Sequence, residues 1–230
     1  MKKHIPNLIT CGNLFSGCLA IVSAMQGKLE IAALLIFTAG LFDLLDGLAA
    51  RLLHVSSPMG KELDSLADVV SFGVAPAIIL FCITPACSDQ LFFSLLPYSA
   101  FLITIFSAIR LAKFNIDQRQ TTSFIGLPTP AMAFFVASLP FISAATGCIL
   151  QYPIVTPLIS IVLASLMVAE LPLFSLKFSG MGWKGNKTRY VFIVLALICA
   201  ILFFISSIPL VIALYILLSL ASDRFNYFKN

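Results

Sequence analysis

The chain has 230 residues, of which 60% are hydrophobic and 10% are charged, and its mean hydropathy is +1.05. Because soluble globular domains carry about 25% charged residues, this composition excludes an ordinary soluble domain and indicates a membrane protein. The formal net charge of +4 does not indicate nucleic-acid binding, since the basic residues fall in short loops instead of on one continuous face.

Apolar stretches follow one another along the chain. Crossing a hydrocarbon core of roughly 30 Å takes a helix of about 20 residues. We therefore predict an all-α, polytopic helical bundle that forms a single membrane-embedded domain over 1–230, with 190–222 as an additional hairpin. The favoured count is eight spans, with seven, or six plus interfacial pieces, as alternatives: 5–26, 29–52, 61–84, 91–112, 129–149, 153–171, 190–206 and 209–222.

The basic residues predict the orientation of these spans. Cytoplasmic loops of membrane proteins carry an excess of Lys and Arg. If both termini are cytoplasmic, thirteen of the fourteen basic residues fall on cytoplasmic segments, and only Lys28 falls outside. The loops at 113–128 and 172–189 are then candidate cytoplasmic lids.

The six cysteines lie mostly in apolar stretches and form no C-x-x-C pair. This pattern predicts buried, unpaired thiols instead of a disulfide framework or a zinc site.

Four aspartates interrupt the second and third predicted spans. Asp43 and Asp46 are three residues apart, and Asp64 and Asp68 are four apart, so each pair lies on one face of its helix. Each carboxylate at mid-bilayer costs roughly 2.5–3.5 kcal/mol, a cost that bound cations would offset. Two such helices could hold two ions about 3.5–4 Å apart, and oxygen ligands favour Mg²⁺, Mn²⁺ or Ca²⁺. An ion pathway in a transporter and structural pairing are the alternatives.

Small residues share the carboxylate faces. Gly47 and Ala50 follow Asp43 by four and seven residues, and Gly60 lies one turn before Asp64. They either serve close helix packing or leave room for a diphosphate or a nucleobase. As members of one stripe they favour ligand clearance.

The pattern D-x2-D-G-x2-A-R-x8-G-x3-D-x3-D, from Asp43 to Asp68, resembles the signature of the CDP-alcohol phosphatidyltransferase family at every spacing. Segments at 5–14, 109–115, 124–130 and 166–177 look like one bacterial, membrane-integral branch of that family, so the resemblance covers a core of about 5–178. Two positions depart from the branch. Lys113 stands where an arginine is expected, which keeps the charge but loses the bidentate fork, and Glu170 stands where a small or neutral residue is expected.

The resemblance implies displacement of CMP from CDP-diacylglycerol by the hydroxyl of L-serine, with Mg²⁺ or Mn²⁺ as cofactor and two ions at the site. It implies that Asp43, Asp46 and Asp64 bind metal, and that Asp68 completes the cluster and acts as general base. A serine hydroxyl is a poor nucleophile at neutral pH, so a carboxylate must take its proton as the new bond forms.

A homodimer in the bacterial cytoplasmic membrane, with its active site facing the cytoplasm and no nucleic-acid partner, is also implied. Glycerol phosphate and inositol phosphate are alternative acceptors, although both call for a denser basic pocket.

Two sets of candidate substrate contacts follow. Those for the CDP moiety are Thr10, Asn13, Gly47, Ala50, Arg51 and Gly60. Interhelical hydrogen bonds are the alternative for Thr10 and Asn13, and anchoring at the membrane interface is the alternative for Arg51. Those for serine are Arg110, Lys113 and Asn115, since a guanidinium binds a carboxylate in a bidentate manner. Positive-inside anchoring would also explain the two charges. The segment 124–130 is predicted to be a lid over the acceptor pocket or a structural turn.

Overall fold

The computed structural model describes residues 4–55, 57–85, 94–116, 124–146, 152–173 and 187–227, and these are almost entirely helical. The predicted all-α class is confirmed. Helices satisfy the backbone N–H and C=O groups within the segment, which a chain this apolar requires in a bilayer. The helical runs of the described residues are α1 (Ile5–Met25), α2 (Leu29–Leu52), α3 (Pro58–Ile83), α4 (Leu96–Ile116), α5 (Thr129–Thr146), α6 (Val155–Val168), α7 (Lys187–Phe203) and α8 (Ile208–Tyr227).

Five runs within the described residues are long and apolar enough to cross a membrane: α1, α2, α3, α4 and the run Arg189–Ala221. Helices α5 and α6 are apolar but shorter. The count of eight spans and the cytoplasmic termini remain predictions. Much of the two predicted lid loops, at 117–123 and 174–186, lies outside the described residues.

The run Arg189–Ala221 is broken near its middle. Phe204 has a left-handed φ of 48°, and Phe204–Ser207 forms a 3₁₀ turn. Helices α7 and α8 on either side of this turn pack against each other. The break predicted between the spans 190–206 and 209–222 is therefore present.

Helix α1 packs along α2 through small side chains. Ala20 and Ala24 of α1 are buried, as are Ala32 and Ala39 of α2, and a Cβ at Gly12 of α1 would lie 3.2 Å from the Phe42 ring of α2. Small residues let two helices approach closely where no difference in polarity drives them together. This packing fixes the polar residues of α1 beside the aspartates of α2.

Helix α3 changes its winding directly after Asp68. It is α-helical over Pro58–Asp68, π-helical over Val69–Val74 and α-helical over Ala75–Ile83. The wide turn is held from both sides, because Ser71 Oγ donates to the Asn13 carbonyl of α1 at 3.0 Å and Thr104 Oγ1 of α4 donates to the Gly73 carbonyl at 3.2 Å. Single π turns of this kind are frequent at functional sites.

A short two-stranded sheet connects the segment before α5 to the segment after α6. Strand β1 (Phe124–Ile125) pairs antiparallel with β2 (Pro172–Leu173). The Gly126 N–H donates to the Leu171 carbonyl at 3.0 Å, and the Leu127 N–H donates to the Leu166 carbonyl at 2.9 Å. Gly126 has a φ of 75°, which a side chain would disfavour. The segment predicted to be a lid or a turn is thus fixed to the protein by backbone hydrogen bonds.

The prediction that the cysteines are buried is wrong for three of those that the structure describes. All four cysteines in the described part of the chain are free, but Cys11, Cys18 and Cys82 are exposed on the surface of the helices. A thiol is apolar enough for a helix face that contacts lipid, so burial inside the protein is not required. Cys87 and Cys148 lie outside the described residues.

Candidate active site

Three of the four predicted carboxylates meet between α2 and α3. Asp43 of α2 and Asp64 and Asp68 of α3 each offer an oxygen, and these three atoms lie within 4.8 Å of one another. Asp43 and Asp64 are half-buried, and Asp68 is only 8% exposed. The four-residue spacing puts Asp64 and Asp68 on one face of α3, and Asp43 lies opposite that face.

The three carboxylates create a site that needs positive charge. Asp43 interacts electrostatically with both Asp64 and Asp68, and like charges at this separation repel. Asp64 Oδ1 is buried with no hydrogen-bond partner among the described residues. An all-oxygen ligand set is what hard divalent cations such as Mg²⁺ and Mn²⁺ prefer. The residues present therefore fit a divalent cation.

Helix α1 contributes two donors to this cluster. Thr10 Oγ1 donates to Asp46 Oδ2 at 2.6 Å, and Asn13 Nδ2 donates to Asp68 Oδ1 at 3.1 Å. Asp46 is 7% exposed and is not one of the three grouped carboxylates. These are the interhelical hydrogen bonds that the sequence left open for Thr10 and Asn13. They orient two of the carboxylates, as hydrogen-bond partners of metal ligands commonly do.

Gly47 and Gly60, the two glycines predicted to leave room for a ligand, differ in their surroundings. A Cβ added at Gly47 would meet no described atom within 4 Å, so packing does not require a glycine there. A Cβ at Gly60 would lie 3.0 Å from both Asn7 Oδ1 and Ser57 Oγ, which is close packing. Gly47 is therefore the position where ligand clearance explains the residue.

For the CDP-linked substrate that the family resemblance implies, Gly47→Ala is expected to weaken substrate use without weakening the fold. Alanine in a helix interior is favoured over glycine by about 1 kcal/mol, and at Gly47 the methyl group would meet no atom of the described residues within 4 Å. The KM for the CDP-linked substrate should rise at least about tenfold, since even an ångström of displacement at a reacting centre is costly. The thermal midpoint in detergent should hold or rise. Gly60→Ala is the matched variant and should lower the thermal midpoint; an unchanged KM in Gly47→Ala would contradict the clearance role.

Arg51 and Ala50 continue the face that carries Gly47. Arg51 is exposed, and its Nε donates to the Gly47 carbonyl at 3.0 Å. This bond folds the guanidinium back along the last turn of α2, so it stays close to the open space above Gly47. Ala50 is half-buried.

Arg110 of α4 is a buried cation with unused hydrogen-bonding capacity. It is 8% exposed, its Nε has no hydrogen-bond partner in the described structure, and one terminal nitrogen donates to Thr129 Oγ1 at 3.4 Å. Its charge interacts with that of Asp68. A guanidinium with an unpaired Nε–H, in electrostatic contact with the carboxylate cluster, is suited to bind a carboxylate or a phosphate.

The other two predicted serine contacts are placed differently. Lys113 is exposed on α4. The Asn115 side-chain amide donates to Ser65 Oγ at 2.8 Å, and the Asn115 carbonyl accepts from Lys61 Nζ at 3.1 Å. Of the three candidates, Arg110 is the one that the structure brings to the carboxylates.

Three polar residues near the site were not assigned from the sequence. Thr129 contacts Arg110, Ser65 follows Asp64 directly, and Ser71 holds the backbone of Asn13. Thr129 lies in the segment that was predicted to shape the acceptor pocket, and that signal could have identified it. No spacing singles out Ser65 or Ser71, because serine is common in apolar helices.

Comparison with known proteins gives consistent matches. The family model described as CDP-alcohol phosphatidyltransferase matches residues 3–167. A CDP-diacylglycerol--serine O-phosphatidyltransferase of Bacillus subtilis is 40% identical over 159 residues, which is 67% of this chain and 88% of that protein. A protein of the same name from Helicobacter pylori is 40% identical over 133 residues. The archaetidylserine synthase of Methanothermobacter thermautotrophicus is 37% identical over 139 residues.

The matches differ in how much of each relative they cover. The alignments span 54% of the Helicobacter protein and 56% of the Methanothermobacter protein, so this chain matches about half of their length. All the residues of the carboxylate cluster, and Arg110 with Thr129, lie inside the range that the family model matches. Helices α7 and α8 lie outside it.

Proposed function

The chain belongs to the CDP-alcohol phosphatidyltransferase family, and we propose that it transfers the phosphatidyl group of CDP-diacylglycerol to the hydroxyl of L-serine. The products are phosphatidylserine and CMP. The observation that carries the choice of acceptor is the buried Arg110, whose Nε–H has no hydrogen-bond partner among the described residues and whose charge interacts with that of Asp68. The Bacillus and Helicobacter relatives carry serine in their names as the second substrate, and the Methanothermobacter relative is named for a serine-containing product.

The carboxylates are the residues that would hold the cofactor. Asp43, Asp64 and Asp68 would bind divalent cations, with Asp46 beside them, and we propose two ions of Mg²⁺ or Mn²⁺. When bound, such ions neutralise diphosphate oxygens and the charge that develops on departing CMP. Thr10 and Asn13 keep Asp46 and Asp68 in fixed orientations, which reduces the reorganisation that binding requires.

The open side of α2 would receive the CDP moiety. The free space over Gly47 supports a position for the diphosphate there, next to the Arg51 guanidinium. Ala50 extends the same face by one further turn. The proposed contacts of Thr10 and Asn13 with the nucleotide, and of Gly60, remain predictions.

The acceptor would bind between α3 and α4. Arg110 would bind the carboxylate of serine through its unpaired Nε–H, and this contact would direct the hydroxyl toward Asp68. Asp68 would take the hydroxyl proton as the oxygen attacks the phosphorus that bears diacylglycerol. The bond from that phosphorus to the bridging oxygen breaks, and CMP leaves. Serine contacts of Lys113 and Asn115 remain predictions.

We place the site at the cytoplasmic face of a bacterial cytoplasmic membrane. The distribution of basic residues supports this orientation, and the apolar surface of α1, α2 and α4 supports a bilayer around the chain. A water-soluble acceptor could then enter from the cytoplasm while the lipid substrate arrives laterally. The implied homodimer remains a prediction.

A parallel acceptor assay tests the proposed function. Purified chain in detergent, supplied with CDP-diacylglycerol and Mn²⁺ or Mg²⁺, is expected to release CMP with L-serine and to lose that activity when the cation is chelated. Glycerol phosphate and inositol phosphate in parallel reactions are expected to give no more than the background rate, because a phosphate acceptor calls for a denser basic pocket than one buried arginine provides. Release of CMP with either phosphate acceptor and not with serine would overturn the assignment.

A further inference from the structure

The groups proposed to act on the acceptor lie on two helices that come from separate parts of the chain. Asp64 and Asp68 belong to α3, and Arg110 belongs to α4. Along the π segment these helices are in close contact, since Thr104 Oγ1 donates to the Gly73 carbonyl and a Cβ at Gly73 would lie 3.2 Å from Ser107 Cβ. Before Asp68, side chains connect α3 to α4.

Three hydrogen bonds form a closed ring between these two helix ends. Lys61 Nζ donates to the Asn115 carbonyl at 3.1 Å, and Asn115 Nδ2 donates to Ser65 Oγ at 2.8 Å. Ser65 Oγ in turn donates to the Lys61 carbonyl at 3.2 Å. We call Lys61, Ser65 and Asn115 the polar clasp. The ammonium group of Lys61, a residue of α3, lies at the last turn of α4. There an ammonium group is favoured by the unpaired carbonyls of the helix C-terminus.

The polar clasp is adjacent to the reacting groups on both sides. Ser65 follows Asp64 directly, and Asn115 lies five residues after Arg110, which is about 7.5 Å along a helix. Asp46 and Asp68 are oriented by donors from α1, whereas Asp64 Oδ1 has no such donor among the described residues. The position of Asp64 therefore depends on how α3 itself is held.

We propose that the polar clasp sets the spacing between the carboxylates of α3 and the guanidinium of Arg110, so that Lys61, Ser65 and Asn115 are positioning residues for transfer to the acceptor. This inference rests on the proposed function. In this proposal Asn115 acts by holding Ser65 of α3 through a hydrogen bond. The sequence prediction was instead that Asn115 contacts the substrate serine directly. The polar clasp also explains why Lys61, the basic residue nearest in sequence to Asp64, is directed to a carbonyl of α4.

A double-mutant cycle separates the two roles of Asn115. Ser65→Ala and Asn115→Ala are each expected to lower kcat/KM for serine about tenfold, because small displacements at a reacting centre have large effects on rate. The double variant should lose no more than either single variant, since both remove the same hydrogen bond. Ser65→Thr keeps the hydroxyl and should restore the rate. The KM for CDP-diacylglycerol should stay within about twofold, because its proposed contacts lie on α2.

Controls keep the test decisive. Thr38→Val removes a comparable exposed hydrogen bond, from Thr38 Oγ1 to the Leu34 carbonyl, and should leave activity unchanged. If Ser65→Ala does not fold, Lys61→Met breaks the lysine arm of the clasp and replaces it in the cycle. A normal rate in Ser65→Ala, with a loss confined to Asn115→Ala, would overturn the proposal in favour of direct serine contact. Lower thermal midpoints with unchanged kinetics would reduce the clasp to a structural link.

The proposed function can fail separately from this inference. If the unmodified chain releases CMP only with another acceptor, the proposed function is wrong. The same cycle run with that acceptor still tests whether the polar clasp positions α3 against α4.

Discussion

Asp68→Asn is expected to abolish turnover while the protein still binds CDP-diacylglycerol in a metal-dependent manner. Asparagine keeps the size of the side chain and an oxygen that can ligate a cation, but it cannot accept the proton of the acceptor hydroxyl. Loss of a general base lowers rates by about 10²–10⁴-fold, so kcat should fall by at least about a thousandfold when the altered ligand is included. The hydrogen bond from Asn13 Nδ2 can still be accepted by the amide oxygen, which preserves local structure.

The measurements are CMP release and binding of CDP-diacylglycerol with and without Mn²⁺. Asp43→Asn is the matched variant, because Asp43 is proposed to act only as a ligand. It should lose substrate binding and turnover together. Near-normal turnover in Asp68→Asn would remove Asp68 from the role of base, and normal nucleotide binding in Asp43→Asn would argue against ligation.

Arg110→Ala should impair the use of serine far more than the use of CDP-diacylglycerol. Removing one partner of a buried, hydrogen-bonded charge pair costs about 2–5 kcal/mol, which corresponds to at least about a thirtyfold loss in kcat/KM for serine. Arg110→Lys should recover part of this loss, since it restores the charge without the bidentate fork.

Steady-state kinetics with each substrate varied in turn provide the measurement. The thermal midpoint in detergent must be followed as well, because Arg110 also donates to Thr129. Thr129→Val removes that hydrogen bond and keeps the shape of the side chain, so it reports the structural share of the effect. Equal increases in both KM values for Arg110→Ala would assign the arginine a general role and not that of an acceptor clamp.

The carboxylate cluster was predictable because its residues lie close together in the sequence, at spacings that place each pair on one helix face. Helical periodicity alone puts Asp64 and Asp68 on one face, and burial of uncompensated charge makes a cation the natural partner of such residues. The bounds of α1 and α2 followed from hydropathy, since each is one continuous and largely apolar helix that ends near a glycine or a basic residue.

The partners of the aspartates required the tertiary structure. Thr10 and Asn13 were recognised as unusual polar residues in an apolar span, but nothing in the sequence shows that they reach Asp46 and Asp68. Likewise, the sequence analysis predicted the same role for Arg110 and Asn115, as contacts of the substrate serine. They lie five residues apart on α4, and on a helix that spacing separates their side chains into different surroundings. The π turn was also not foreseen, because it arises from packing between α1 and α4 and not from the local preference of residues 69–74.

That wide turn makes the length of α3 matter as much as its composition. Each residue of a regular helix advances the chain by about 100° around the axis. If the same number of residues between Asp68 and Ala75 wound as an ordinary α-helix, the following turns would rotate by about 100°, and Ala77, Ile79 and Leu80 would no longer face the protein interior. The number of residues in the segment and its winding are therefore coupled, because a segment one residue shorter would keep the same buried face with ordinary α-helical winding.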